Sequence, residues 1–254
     1  MGTVTDSPTT PPQDPDGRRA ADDSPVARGA TPRERCLTGH TEPVMAMATT
    51  SLPGRPVVLV SGSLDATVRV WDLVTGSPVG APLTGHTGGV YAVATAVVGG
   101  RPVAVGTGQD AAVRVGDLAE GRQTGPALTG HTGTVRAVNG LRGGGRSLAV
   151  TGGEDESARV WDLAAHRPVG PSVEDHDGWV LALAATGHEH DPLVLGAGED
   201  QYLHVWHPLT RRRTRRADGH RHKVRAVASA DLHGRPVALT AGDDNTIRVH
   251  RLDT

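Results

Sequence analysis

Three short landmarks return about every 45 residues through most of the chain, and this period constrains the fold more than any other feature. The first is Gly-His, at Gly39-His40, Gly85-His86, Gly130-His131 and Gly219-His220, with Asp175-His176 filling the gap. The second falls about thirty residues later, at Trp71-Asp72, Gly116-Asp117, Trp161-Asp162, Trp206-His207 and His250-Arg251. The third is an aspartate six residues ahead of each of these: Asp65, Asp110, Asp155, Asp200 and Asp244. Three landmarks that keep register through five units define a repeat protein, in which each unit buries its apolar surface against its neighbours.

Within a unit the pattern is strand, turn, strand. Val57 to Val60 is a continuous apolar run, Ser61 to Ala66 is polar, and Thr67 to Trp71 alternates with period two. Val44 to Ala48 makes a further strand, and the stretch from Trp71-Asp72 to the next Gly-His makes a fourth. Composition agrees. Phe is absent, Tyr occurs twice and Trp four times, against 34 Gly and 18 Pro, so the core must be built from Val, Leu and Ala between frequent turns. Four short strands per unit describe one blade of a β-propeller.

The landmarks, and segments such as Ser61-Gly-Ser-Leu-Asp-Ala-Thr-Val-Arg-Val-Trp-Asp72, resemble the WD-repeat family over residues 33–254. The resemblance implies an all-β propeller of five four-stranded blades. It also implies a hydrogen-bonded relay in each blade that joins the His, a Ser or Thr ending the second strand, the turn Asp and the Trp. Carried over by position, blade one has His40, Ser61, Asp65 and Trp71, and blade three has His131, Thr151, Asp155 and Trp161. Blade four keeps His176, Asp200 and Trp206 but has Gly196 for the hydroxyl. Blade five keeps His220, Thr240 and Asp244 and ends in His250. Blade two retains His86 and Asp110 alone, since Gly106 and Gly116 replace hydroxyl and indole, and is expected to be the softest.

The segment Arg35-Cys-Leu-Thr-Gly-His40 matches Ala81 to His86 and Pro126 to His131, which read as fourth strands entering a landmark. It is therefore expected to supply the fourth strand of the last blade and close the ring, with an open arc, or arcs pairing between chains, as the alternative. Residues 1–32 hold six prolines and no apolar period, and are expected to be a disordered tail.

The repeats agree on scaffold positions and disagree where the family's top rim falls. Met45, Tyr91, Arg136, Trp179, Leu181, Lys223 and Arg225 flank the first-strand valine; Leu64, Gln109, Glu154, Glu199 and Asp243 precede the turn Asp. Exposed aromatic and Arg side chains are common interface anchors, so a rim that binds a protein or peptide with apolar and acidic groups is expected. The expected function is a non-catalytic scaffold for signalling or regulatory assembly. The resemblance to bacterial-type members suggests a separately encoded kinase or nucleotide-hydrolysing regulator as partner.

Two other functions fit parts of the sequence. A propeller hydrolase would place its site at the central opening, but His, Ser and Asp recur in every blade, whereas a catalytic set occurs once. A nucleic-acid accessory protein would use Arg211-Arg-Arg-Thr-Arg-Arg216; with no aromatic beside it in sequence, the run reads better as a charged outer strand that deters edge pairing. His188-Glu-His-Asp191 could ligate a metal but reads as a hydrophilic loop, and the glycines sit at turn spacing with no phosphate-binding loop, so neither metal nor cofactor is expected. The net charge of −2 disfavours a general polyanion binder. Cys36 is the only cysteine, which excludes an internal disulfide. No signal-like segment and no apolar run near ~18 residues occurs, so a cytoplasmic location without membrane contact is expected.

Overall fold

A computed structural model describes residues 35–217 and 219–252. The described residues from Leu37 on form one compact unit. The expected tail, residues 1–32, lies outside the described residues.

The described residues contain strands and turns and no helix, arranged as five antiparallel sheets that follow chain order. The first holds β1 (Val44–Leu52), β2 (Arg55–Ser63) and β3 (Val68–Asp72). The second holds β4 (Val90–Val98), β5 (Arg101–Gly108), β6 (Val113–Asp117) and β7 (Arg122–Gln123). The third holds β8 (Val135–Gly143), β9 (Arg146–Gly153), β10 (Ala158–Asp162) and β11 (Arg167–Pro168). The fourth holds β12 (Val180–His188), β13 (Asp191–Gly198), β14 (Leu203–Trp206) and β15 (Arg213–Ala217), and the fifth holds β16 (Val224–Leu232), β17 (Arg235–Gly242) and β18 (Ile247–Arg251). In the first sheet the outer strand is reduced to two bridges, Val68 with Leu83 and Trp71 with Pro78. The five sheets are consistent with propeller blades; the second, third and fourth have the four strands that the repeat predicts, and the first and fifth have three.

One turn recurs in all five. After each landmark Asp the chain takes a left-handed step at Ala66, Ala111, Glu156, Gln201 and Asn245, with φ of 64°, 54°, 61°, 71° and 60°. Such a step is uphill for a residue with a Cβ. The aspartate carboxylate offsets it by accepting the N–H two residues on, from Thr67 at 3.0 Å and from Ser157 at 3.3 Å.

The apolar core lies between sheets, in four clusters. Val68 and Val70 of β3 meet Val90, Val93, Ala104 and Leu118. Val113 and Val115 of β6 meet Ala149, Trp161 and Leu163. Ala158 and Val160 of β10 meet Val180, Leu183, Val194 and Trp206. Leu203 and Val205 of β14 meet Ala238, Val227 and Leu252. The same two faces mate at each junction.

Five sheets joined by four such clusters leave two faces over. On β18, Ile247 and Val249 stand where Ala158 and Val160 stand in β10, yet they are 76% and 61% exposed. On the first sheet, Met47 and Leu73 are 68% and 40% exposed, whereas Leu118, the counterpart of Leu73, is 1% exposed. Arg35 to His40 carry no strand assignment, and among the described residues the fifth sheet has three strands. A fourth strand beside β18 is therefore not seen among the described residues, and both end faces stay uncovered.

Matched positions test this arrangement. In dilute solution Val160→Ala should cost about 2 kcal/mol, as a cavity at a filled junction. Val249→Ala should cost less than about 0.5 kcal/mol, as an exposed side chain. Urea unfolding of the two variants gives both numbers, and equal losses would contradict an open face on β18.

Candidate functional site: the blade relays and the rim

Blade one joins all four of its expected groups. The Trp71 indole N–H donates to Ser61 Oγ at 2.8 Å, and Ser61 Oγ lies 2.8 Å from His40 Nε2. His40 Nδ1 lies 2.8 Å from Asp65 Oδ2. With the Nδ1–H tautomer, the hydroxyl donates to Nε2 and Nδ1–H donates to the carboxylate, a single donor direction from indole to aspartate. Blade three repeats it. Trp161 Nε1 to Thr151 Oγ1 is 2.8 Å, Thr151 to His131 Nε2 is 2.7 Å and His131 Nδ1 to Asp155 is 2.9 Å. The glycine of the Gly-His landmark is needed here, since Gly39 and Gly130 have φ of 149° and 152°. An added Cβ on Gly39 would lie 3.1 Å from the Trp71 ring.

Blade five keeps the chain of bonds with a different donor. His220 bonds Asp244 at 2.9 Å and Thr240 at 2.8 Å, and the His250 Nε2 lies 2.9 Å from Thr240 Oγ1, in the place of the indole nitrogen. A second imidazole supplies the N–H that sequence position alone left unassigned.

Blade two is truncated as expected. His86 bonds Asp110 at 2.9 Å, but its Nε2 has no partner. Leu83 occupies the indole site, where a Cβ on Gly116 would come within 2.6 Å of it. A cavity of about 20 Å³, lined by His86, Gly106, Gly116 and Leu83 among others, remains beside the ring.

Blade four departs most. With Gly196 in place of the hydroxyl, His176 Nε2 and Trp206 Nε1 lose their shared partner and stand buried and unpaired. One missing oxygen strands two nitrogens, each a cost of about 1–3 kcal/mol. His204 adds a new contact: its Nε2 bonds Asp200 Oδ2 at 2.8 Å, beside His176 Nδ1 at 2.9 Å. The two rings lie 4.1 Å apart. His176, Asp200 and His204 hold one ligand-type atom each within 4.8 Å of one another, the composition of a divalent-metal site. Both imidazoles already face one carboxylate oxygen as hydrogen-bond donors, which accounts for the cluster without a cation. His204 lies outside the repeat landmarks. Its signal was that Arg69, Arg114, Arg159 and Arg248 fill the same position in the other blades.

A further group missed from sequence is the hydroxyl two residues beyond the turn Asp. Thr67, Ser157 and Thr246 donate to Asp65, Asp155 and Asp244 at 2.6, 2.9 and 2.8 Å. Burial pushes each of these carboxyls upward. The hydrogen bonds from histidine, hydroxyl and backbone N–H outweigh it and hold Asp65, Asp155 and Asp244 far below the usual carboxylate range. Asp200 is lowered too, with burial opposed by His176 and His204. Burial pushes the His176 and His250 imidazoles below their usual range.

The relay resembles a hydrolytic triad in its distances, but Ser61, Thr151 and Thr240 are buried, and the first two hydroxyls are each held by an indole N–H. A substrate carbonyl cannot reach them.

The rim residues are placed by a shared irregularity. Each first strand carries a register shift just after its opening valine, between Val44 and Ala46, Val90 and Ala92, Val135 and Ala137, Val180 and Ala182, and Val224 and Ala226. The residues at these bulges are Met45, Tyr91, Arg136, Leu181 and Arg225. A bulge re-aims its side chain out of the pleat.

Four blades contribute to one cluster. The Arg136 guanidinium lies 4.4 Å from the Tyr91 ring centroid and 5.6 Å from that of Trp179, and Lys223 Nζ lies 6.0 Å from Trp179. The acids that precede the turn Asp neutralise these cations: Glu154 pairs with Arg136, Glu199 with Lys223, and Asp243 with Arg225 at 2.8 Å. Leu64 covers Gly89, two residues before Tyr91 on the chain. Met45, Gln109 and Leu181 make no side-chain hydrogen bond or ring contact with the cluster among the described residues.

The arginine run lies on β15 and the turn before it, and its members have local partners. Arg216 stacks on Tyr202 at 3.6 Å, which corrects the expectation that no aromatic attends the run; Tyr202 is distant in sequence and reaches it across β14 and β15. Arg211 donates to the Val169 carbonyl at 2.7 Å, Arg213 approaches Asp175 at 3.8 Å, and Arg215 donates to the Arg251 carbonyl. In the His188–Asp191 segment, Glu189 pairs with Arg142 of the third sheet, and Asp191 approaches His207 at the end of β14 in its own sheet.

Sheets of this form, stacked in chain order with an internal relay, define a propeller-type repeat protein. Residues 32–72 and 123–162 match the family described as WD domain, G-beta repeat, which supports a WD-repeat family for the chain. The two matched stretches contain β1 to β3 and β8 to β10, the blades whose relay runs unbroken from indole to aspartate. The chain matches no curated protein.

Two measurements follow. Asp155→Ala should destabilise by about 2–4 kcal/mol, because it strands His131 and Ser157, while Gln109→Ala should change stability by less than about 0.5 kcal/mol. Denaturant titration distinguishes them. Stability should also fall with acid in two stages. His176 and His250 have lowered folded values, so the unfolded chain binds more protons below about pH 6.5 and stability declines from there. The turn aspartates are depressed as well, so a steeper loss should begin below about pH 4, where the unfolded carboxyls protonate. Unfolding free energies that stay level from pH 7 to pH 4 would rule out buried neutral histidines.

Proposed function

We propose that the chain is a non-catalytic scaffold that binds a partner protein or peptide at the rim formed by the bulged ends of its first strands. The observation that carries this is the Tyr91–Arg136–Trp179–Lys223 cluster, built from four blades on an otherwise repeated frame. Trp179 is 38% exposed. A large exposed indole beside cations supplies contact area with little conformational entropy to lose, as interface anchors do. The family supports the same reading, because WD-repeat domains generally hold other proteins.

The paired charges refine the partner. Arg136, Lys223 and Arg225 are each bound to a turn acid, so the rim presents aromatic and apolar surface edged by neutralised ion pairs. A peptide with an apolar anchor fits it better than a polyanion does. The partner class we favour is a separately encoded signalling kinase or nucleotide-hydrolysing regulator in the cytoplasm, on the strength of the family likeness. Catalysis at the rim finds no support, since Glu154 and Glu199 are both engaged in ion pairs. The partnered arginines of β15 give a nucleic-acid role no support either. Among the described residues no helix is long and apolar enough to cross a membrane.

The test is affinity capture from the native host with wild type and the Trp179→Ala/Arg225→Glu variant, each checked by circular dichroism. A partner lost with the double change and an intact fold is the expected result. A partner that stays bound would move the site away from the rim.

A further inference from the structure

The two uncovered faces are the two halves of a junction that the chain already makes four times. At the first junction Val68 and Val70 of β3 meet Val93 and Leu118. By repeat position, Ile247 and Val249 correspond to the first pair, and Met47 and Leu73 to the second. All four side chains are exposed.

A backbone counterpart accompanies them. At each internal junction the residues before the landmark His pair with the third strand of the preceding sheet: Val68 with Leu83, Val113 with Leu128, Ala158 with Val173, and Leu203 with Ala217. Leu37 holds the same position, three residues before His40, and His40 is already seated on Ser61 and Asp65. The edge of β18 has no fourth strand beside it among the described residues. Next to it, between the fourth and fifth sheets, lies a groove of about 980 Å³ lined by Val205, Thr214, Pro236 and Leu252 among others.

We propose that a second copy of this chain occupies β18 and its apolar face, head to tail. Blade one of that copy packs Met47 and Leu73 on Ile247 and Val249, and its Leu37 segment adds the fourth strand to β18. The occupant is a second copy because both surfaces match partners already found inside the chain, in side-chain type and in strand register. The contact is heterologous, so it propagates to a ring or a filament rather than stopping at a two-fold dimer. Strand addition at an open edge supplies backbone hydrogen bonds alongside the apolar contact. This proposal is independent of the rim reading.

Sedimentation velocity on the full chain over the micromolar range tests it. Wild type should associate with rising concentration. Ile247→Asp and Met47→Glu, both at exposed positions and so expected to fold, should each weaken association by about tenfold or more. Mixed in equal amounts, they retain one good face each and should form a heterodimer and nothing larger. A strictly monomeric wild type, association unaffected by either change, or no heterodimer on mixing would each overturn the proposal.

A second measurement uses Cys36. His204 pairs with Arg216 between β14 and β15, and the equivalent pair across the new contact is Arg248 with Cys36. Arg248→Cys oxidised with diamide should give covalent dimers and larger species on a non-reducing gel. A cross-linked monomer would show closure within one chain and overturn the proposal, as would the lack of any cross-link. The Trp179→Ala/Arg225→Glu variant should associate like wild type, which separates this contact from the rim.

Discussion

Each blade of this protein buries its valines and leucines against the next blade, and everything else in the structure depends on that contact. A four-stranded sheet with two apolar faces has no interior of its own, so stability accrues at junctions. The junctions are alike. Val68 and Val70, Val113 and Val115, Ala158 and Val160, and Leu203 and Val205 present matching pairs to the following sheet. That likeness holds the period near 45 residues and makes the two end faces complementary to each other.

The relay does a different job. It lies inside a blade and ties the entering histidine to the second-strand hydroxyl and the turn aspartate, which in turn braces a left-handed residue. The blades show how such a network tolerates change. Blade five substitutes the imidazole of His250 for an indole and keeps every bond. Blade two fills the indole site with Leu83 and leaves one nitrogen unpaired. Blade four loses one oxygen at Gly196, strands two nitrogens, and gains a second donor to Asp200 from His204. A buried polar network is sensitive to a missing member because the remaining groups have no water to turn to.

The rim rests on both. Bulges at the start of each first strand turn Met45, Tyr91, Arg136, Leu181 and Arg225 out of the pleat, and the acids of the braced turns lie within reach of the cations. The outcome is a surface whose charges are largely satisfied internally and whose aromatic groups remain available. For a scaffold that arrangement favours contact by shape and apolar area over long-range electrostatic attraction.

By itself the sequence determined the repeat, the strand pattern and the groups that meet within a blade. These are local consequences of spacing: a histidine, an aspartate and a tryptophan at set intervals in a four-stranded unit can meet in only one way. Spacing could not reveal what depends on contacts between units or on side chains outside the motif. The His250 donor, the place of Leu83, the His204 contact and the Tyr202–Arg216 stack are of this kind, as are the bulges and the ion pairs of the rim. Which faces stay uncovered was also beyond it. Ile247 and Val249 read in sequence like Val68 and Val70, and only the presence or absence of a packed neighbour in three dimensions separates an exposed pair from a buried one.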